Sequence, residues 1–232
     1  MRTENVKNSL GNDFWYKTMP VLIIGMIIWF TITLVFSGLL GFTVLEYTLV
    51  ITVLLIISYV FLCIITIIFA FYKYNLLSMI FFFASSVLTG IIGSNIIIWA
   101  VGIIGQGIVL ALFFMASLIG ILVTSAMLIL GLFLRHKISE NFIYPLLVFG
   151  LILFILEFTL VLMFGFNAVI LITSILVLIW LFGVILWDGS RLPETIGEGF
   201  WMLAVIDIFL DLVNVIIRIF IILVKIIGDA LD

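Results

Sequence analysis

The sequence has very little charge for its length, and its hydrophobic content is correspondingly high. Only 9% of its 232 residues are charged, 67% are hydrophobic, and the mean hydropathy is +1.58. Soluble domains carry about 25% charged residues, so this composition excludes that class and predicts a polytopic protein embedded in a lipid bilayer. The net charge of -3 and the scattered basic residues also exclude a nucleic-acid-binding protein.

Cysteine, histidine and catalytic motifs are scarce as well. The single cysteine, Cys63, excludes an intrachain disulfide. The sequence contains no Cys/His metal cluster, glycine-rich phosphate loop or nucleophile-base motif. Intramembrane aspartyl proteases carry a Gly-x-Gly-Asp pattern, whereas Asp211 follows Ile208-Phe-Leu. We therefore expect no enzyme and no bound cofactor.

Seven long apolar stretches predict an all-α integral membrane protein, a bundle of seven transmembrane helices. We expect residues 1–19 to form a cytoplasmic N-terminal segment and residues 20–232 to form one transmembrane domain. The first apolar stretch lacks a small-x-small cleavage site and should remain as a helix. The predicted helices run approximately from Pro20 to Phe42, Leu45 to Tyr72, Leu76 to Ile98, Ile108 to Leu134, Phe142 to Phe164, Ala168 to Trp187 and Phe200 to Ile227.

Two connections and two small-residue stripes complete this outline. We expect a short loop or helix break at Trp99 to Gly107 and a polar connection at Gly189 to Gly199. Small residues recur every fourth position in the predicted third and fourth helices, which favours close packing against neighbouring helices. The stripes are Ser86, Gly90 and Ser94, and Ala116, Gly120 and Thr124.

The distribution of basic residues predicts the orientation in the membrane. Seven of the nine Lys and Arg residues lie in the N-terminal segment and in the loops after the second, fourth and sixth helices. The alternate loops carry none. The positive-inside rule then places the N-terminus in the cytoplasm. Short loops and tails favour a prokaryotic protein in the plasma (inner) membrane.

The predicted seventh helix is apolar but carries a ladder of polar side chains on one face. Successive members are separated by four, three, four and seven residues, which keeps them on one side of an α-helix. Such a face is costly against lipid, so we expect it to lie inside the bundle, towards a cavity or partner groups. The ladder consists of Asp207, Asp211, Asn214, Arg218 and Lys225.

A further acid, Glu157, lies deep in the predicted fifth helix. A lone carboxyl at this depth is expected to be neutral or hydrogen-bonded to a neighbouring helix. Two interpretations remain open. Glu157 has either a structural role or a share in an ion path.

Asp188, at the end of the sixth helix, is expected to lie near the acids of the seventh and to meet either Asp207 or Asp211. Two carboxyls in a dry site cannot both ionise easily, so such a pair forms a proton-controlled latch. When deprotonated, they repel or accept a hard cation such as Ca2+, which prefers oxygen ligands. The alternative is a static buried network in which the acids satisfy Arg218, Asn214 and Lys73.

Two C-terminal segments resemble the transmembrane Bax-inhibitor-motif family. They are Gly183-Val-Ile-Leu-Trp-Asp188 and, after a short connection, Leu210-Asp211-Leu-Val-Asn214-Val-Ile. In that family the sixth helix ends in a Leu-Tyr-Asp pattern and the seventh carries Tyr-Leu-Asp-x-x-Asn. The resemblance covers about fifty C-terminal residues, and Trp187 stands where tyrosine is usual, which is typical of a divergent member.

The resemblance implies a seven-helix bundle with the semi-polar seventh helix at its centre, and a pH-sensitive calcium leak. Carried over to this sequence, the gating pair is Asp188 and Asp211, and Lys73 is the nearest candidate for a basic residue that locks the closed state. Asp207 is an additional acid that would extend a Ca2+ site formed with the pair. The transported or sensed ions are then Ca2+ and H+.

An interaction protein is the alternative function. Family members also resemble regulators that bind membrane proteases or cell-death factors, so a membrane protein partner would then replace ion flux as the main activity. A variant that lacks Asp211 but keeps the partner's phenotype would favour this alternative.

Overall fold

The computed structural model describes residues 13–38, 49–135, 137–164 and 166–231, and the regular elements in these ranges are helical. Residues 1–12 of the predicted N-terminal segment and the predicted loop near Thr43 lie outside the described residues. A π-helical turn at Phe14–Thr18 precedes the first α-helix, and a 3-10 turn at Glu140–Phe142 precedes the fifth. The α-helices are α1 (Met19–Phe36), α2 (Leu49–Phe71), α3 (Asn75–Ile104), α4 (Gln106–Leu134), α5 (Ile143–Phe164), α6 (Phe166–Gly197) and α7 (Trp201–Leu231).

Five helical stretches within the described ranges are long and apolar enough to cross a membrane. They are Phe14–Phe36, Leu54–Phe71, Asn75–Ile104, Gln106–Leu134 and Val169–Gly197. The apolar stretch of α5, Ile143–Glu157, is shorter, and the 31 residues of α7 include five charged side chains. The structure therefore supports an all-α, multi-pass membrane protein, whereas seven crossings stay a prediction.

The connection between α3 and α4 is much shorter than the predicted loop at Trp99 to Gly107. Helix α3 continues to Ile104, α4 begins at Gln106, and Gly105 alone separates them with φ of 81°. That backbone conformation suits glycine, which has no Cβ to clash. The prediction of a loop or helix break at Trp99 to Gly107 is therefore confirmed as a break at one residue, and the rest of this uncharged apolar segment satisfies its backbone by remaining helical.

Helix α6 also runs further than expected, through Asp188 and Pro193 to Gly197. The predicted connection at Gly189 to Gly199 was therefore wrong over most of its length. Gly199, with φ of 86°, ends the helix in a Schellman motif: the Phe200 amide donates to the Thr195 carbonyl at 2.9 Å. Gly199 has the positive φ that ends a helix, whereas Gly189 lies within α6.

The chain falls into two compact units, and their boundaries lie inside α3, α6 and α7. One unit comprises Met1–Trp99 and Pro193–Phe209, and the other comprises Ala100–Leu192 and Leu210–Asp232. Helix α7 supplies fully buried side chains to the core of each unit. In the first unit Phe209 packs edge-to-face on Phe82 at 5.0 Å between ring centroids, and in the second Phe220 packs likewise on Phe113 at 5.6 Å.

Both small-residue stripes are packing surfaces, as predicted. In the first unit, a Cβ added to Gly90 would lie 2.9 Å from the Trp29 carbonyl oxygen, and the Thr33 hydroxyl donates to the Gly90 carbonyl at 3.2 Å. In the second unit, a Cβ on Gly120 would lie 2.5 Å from Cγ1 of Ile216. Larger residues at these positions would push the neighbouring helices apart.

Candidate functional site

The carboxyl groups of Asp188 on α6 and Asp211 on α7 lie within hydrogen-bonding reach of each other in the second unit. Asp211 is only 6% exposed. An ionised carboxylate accepts hydrogen bonds but cannot donate one, so a hydrogen bond between two carboxyl groups requires that one of them holds a proton. The arrangement can therefore store a proton between two helices.

Arg191 supplies a positive charge beside this carboxyl pair. It lies one helical turn after Asp188 and acts on it electrostatically. Its guanidinium carbon is 5.0 Å from the ring centroid of Trp187, four residues earlier, in cation-π geometry. This role of Arg191 was not predicted from the sequence, although its spacings of three residues from Asp188 and four from Trp187 on one helix were visible signals.

A close contact between α4 and α6 lies directly beside the carboxyl pair. A Cβ added to Gly189 would be 2.6 Å from the Leu128 carbonyl oxygen and 3.0 Å from its Cα. A Cβ on Gly131 would likewise collide with the Leu186 carbonyl oxygen. These glycines let the two backbones touch, so the position of Asp188 is defined by rigid main chain as well as by side chains.

Two members of the polar ladder are exposed, although most of α7 is buried. Asp207 and Asn214 are exposed, while Val213 and Val215 on either side of Asn214 are buried. This pattern is the reverse of a lipid-facing helix, whose exposed residues are apolar. Asp207 belongs to the first unit, and Asn214 and Asp211 belong to the second.

The sequence predicts a Ca2+ site formed by Asp188, Asp207 and Asp211. Across residues 13–38, 49–135, 137–164 and 166–231, no group of three or more His, Cys, Asp or Glu side chains could hold a metal ion. A role for Asp207 in cation binding stays a prediction.

Glu157 of α5 and Arg218 of α7 form a bidentate ion pair in the second unit. Arg218 donates from Nη1 to Glu157 Oε1 at 2.6 Å and from Nη2 to Oε2 at 3.0 Å. Two hydroxyl groups of α6 lie beside them: the Thr173 hydroxyl is 3.4 Å from Glu157 Oε1 and 3.2 Å from the Val169 carbonyl, and the Ser174 hydroxyl accepts from Arg218 Nη1 at 3.4 Å. We call Glu157, Arg218, Thr173 and Ser174 the ion-pair cluster, which links three helices.

This cluster gives Glu157 a hydrogen-bonding partner on a neighbouring helix, as predicted, and gives Arg218 a different partner from the one in the static-network alternative. Glu157 is bonded to a neighbouring helix, whereas Arg218 had been expected to satisfy the acids of the sixth and seventh helices. One acid and one base in separate apolar stretches are a recognisable signal, because opposite charges at membrane depth pair with each other. The hydroxyls of Thr173 and Ser174 gave no such signal, since they are common in membrane helices.

Lys73 binds the turn that joins α6 to α7. Its Nζ donates to the Glu198 carbonyl at 2.8 Å and lies 4.6 Å from the ring centroid of Phe200. Lys73 itself has φ of 59°, and the Tyr74 amide donates to the Phe69 carbonyl at 2.9 Å, so Lys73 ends α2 in the conformation usually given to glycine. A cation here also neutralises the partial negative charge at the end of α6.

We expect Lys73→Met to lower the free energy of unfolding by about 1 kcal/mol, because the carbonyl bond and the cation-π contact are both lost. Methionine keeps the side-chain length, and like lysine it is unbranched at Cβ, so the cost of the left-handed backbone is unchanged. Thermal unfolding of the purified protein in detergent measures the loss. Lys137→Met, at an exposed position, is the control and should leave the midpoint unchanged; an equal shift in both variants would contradict the assignment.

Comparison with known proteins adds no family to these observations. No protein-family model matches the chain, and no curated protein does.

Proposed function

We propose that this protein is a pH-sensitive calcium leak channel or transporter gated by the carboxylate pair Asp188 and Asp211. The observation that carries the proposal is the close approach of these two carboxyl groups, which lie on different helices. A proton shared between them holds α6 and α7 together. Its loss leaves two negative charges side by side, which repel each other or bind a cation.

Calcium fits this pair better than a transition metal does. Carboxylate and amide oxygens are the ligands that Ca2+ prefers, and Asp211 lies on a helix whose next polar residue, Asn214, is exposed. Protons and Ca2+ compete for the same carboxylate oxygens, which links opening to pH. Arg191 opposes cation binding at Asp188 by its positive charge and so limits the leak.

The expected orientation follows from the basic residues. With the N-terminus in the cytoplasm of a plasma membrane, Lys73, Arg191 and the carboxyl pair lie towards the cytoplasmic face. The pair then senses cytoplasmic pH, and Ca2+ moves down its gradient. Lys73 contributes by holding the turn between α6 and α7 in place.

Ca2+ entry into liposomes that contain the purified protein tests the proposal. We expect the flux of the parent to rise between pH 6 and pH 8, because each pH unit changes the proton occupancy of a carboxyl pair by up to about tenfold. Asp188→Asn and Asp211→Asn should each abolish this pH dependence. The asparagine side chain in each variant does not titrate, so the one remaining aspartate ionises without a second negative charge beside it.

Asp229→Asn is the matched control, since Asp229 is an exposed acid on α7 that pairs only with Lys225 in the described contacts. Its flux should match the parent at each pH. If parent, both pair variants and empty liposomes all leak equally while the proteins remain folded, the channel function is refuted. The interaction-protein alternative would then be tested by cross-linking to membrane partners.

A further inference from the structure

The ion-pair cluster lies on the same face of α7 as Asp211. Arg218 follows Asp211 by seven residues, which is two helical turns or about 10 Å along the axis. Asn214 lies between them and is exposed. Along this face, therefore, a carboxyl group, an amide and a guanidinium group follow one another at turn spacing within the second unit.

The charged side chains of the ion-pair cluster are partly exposed to solvent. The side chains of Glu157 and Arg218 are each 20% exposed to solvent, although both lie within helices of strongly apolar sequence. Ionisable groups at membrane depth face protein or a water-filled cavity, because contact with lipid is too costly. Accessible charges next to an exposed amide therefore indicate that water reaches this face of α7.

We propose that the Glu157–Arg218 ion pair is the charge-selectivity element of the cation path, in which Glu157 cancels a positive charge that would otherwise repel the passing ion. The inference rests on the proposed cation leak and assigns to it two residues outside the carboxyl pair. An uncompensated guanidinium group is a strong barrier to a divalent cation in a narrow polar path, since the repulsion scales with the product of the charges. Bidentate pairing keeps the guanidinium group fixed and neutralised.

The arrangement favours this role over a purely stabilising one. Replacing a buried ion pair by apolar side chains is often neutral or stabilising, so such a pair is weak evidence for stability. In a bilayer, apolar residues at these positions would serve packing equally well. What the pair adds is a guanidinium group on the polar face whose charge is cancelled by a fixed partner, with groups from three helices around it.

Removing each charge separately tests the proposal in the same liposome assay. Glu157→Gln leaves Arg218 uncompensated and should lower Ca2+ flux about tenfold. Arg218→Gln leaves Glu157 uncompensated and should raise flux. Glu157→Gln combined with Arg218→Gln should return it towards the parent. Lys225→Gln removes a cation from the same helix outside the cluster, and its flux should stay within about twofold of the parent, because that charge is paired with Asp229.

A variant that keeps both partners of the ion pair gives a second test, provided that thermal unfolding shows it to be as folded as the parent, because Ser174 is fully buried. Ser174→Asp adds a carboxylate beside Arg218 without removing either partner, and it should raise flux as Arg218→Gln does. If Glu157→Gln and Arg218→Gln change flux in the same direction, and Ser174→Asp has no effect, the pair is structural only and the inference is overturned. If the parent protein leaks no more Ca2+ than empty liposomes, the proposed function itself is refuted. If the parent leaks but the charge variants behave as just described, only the inference about the ion pair is overturned.

Discussion

Replacing Arg218 by methionine is expected to lower the free energy of unfolding by about 3 kcal/mol, the lower end of the range for removing one partner of a buried ion pair. The lower end applies because both side chains remain 20% exposed, so water offsets part of the loss. Methionine fills much of the volume of arginine but leaves the Glu157 carboxylate with a single weak hydrogen bond, from Thr173 at 3.4 Å. The cost therefore comes from an unpaired charge, with little contribution from a cavity.

A double-mutant cycle separates the ion pair from packing. Combining Arg218→Met with Glu157→Met should recover most of the lost stability, because no uncompensated charge remains. Unfolding by heat and by denaturing detergent would measure all four proteins. Lys225→Met is the matched control on the same helix, where the ion pair with Asp229 is exposed and contributes little. Additive losses in the double variant would contradict a coupled pair.

Replacing Gly189 by valine should cost about 3 kcal/mol, at the upper end of the range for overpacking a well-packed interior. The added Cβ would lie 2.6 Å from the Leu128 carbonyl oxygen, and three backbone atoms of Leu128 lie within 3.2 Å of it. Backbone atoms in a helix cannot move aside as a side-chain end can. Helix α6 must therefore shift away from α4, which displaces Asp188, the residue immediately before Gly189.

Gly102→Val is the matched control, since Gly102 is also helical and has no neighbouring atom within 4 Å of an added Cβ. Its melting temperature should be close to that of the parent. For Gly189→Val we also expect the pH dependence of Ca2+ flux to weaken, because the close approach of Asp188 and Asp211 requires the present position of α6. A Gly189 variant as stable as the Gly102 variant would show that α4 and α6 are less closely packed than in this structure.

The helical, membrane-embedded class was predictable because it depends on composition. An apolar stretch of about twenty residues must satisfy its backbone internally in a bilayer, and only a helix or a closed barrel can do so. Helix ends were less predictable. Gly105, Gly189 and Gly199 look alike in the sequence, yet Gly105 and Gly199 adopt positive φ and end helices, while Gly189 packs against Leu128.

The candidate site was predictable only in part, because spacing along one helix was visible in the sequence but contacts between helices were not. Spacing on one helix placed Asp207, Asp211, Asn214 and Arg218 on one face, because an α-helix has a fixed period. Which groups they meet depends on neighbouring helices. Asp188 was expected near either Asp207 or Asp211, and it lies within hydrogen-bonding reach of Asp211.

By itself, the sequence determined that this chain is helical, apolar enough for a membrane, and marked by one helix with a polar face. Local periodicity and transfer energies suffice for those properties, since each depends only on residues close together in the chain. Tertiary structure alone decided that Arg218 binds Glu157, 61 positions away, and that Lys73 binds Glu198, 125 positions away. Such partners are set by how helices pack, and long-range packing depends on shape complementarity that no local pattern records.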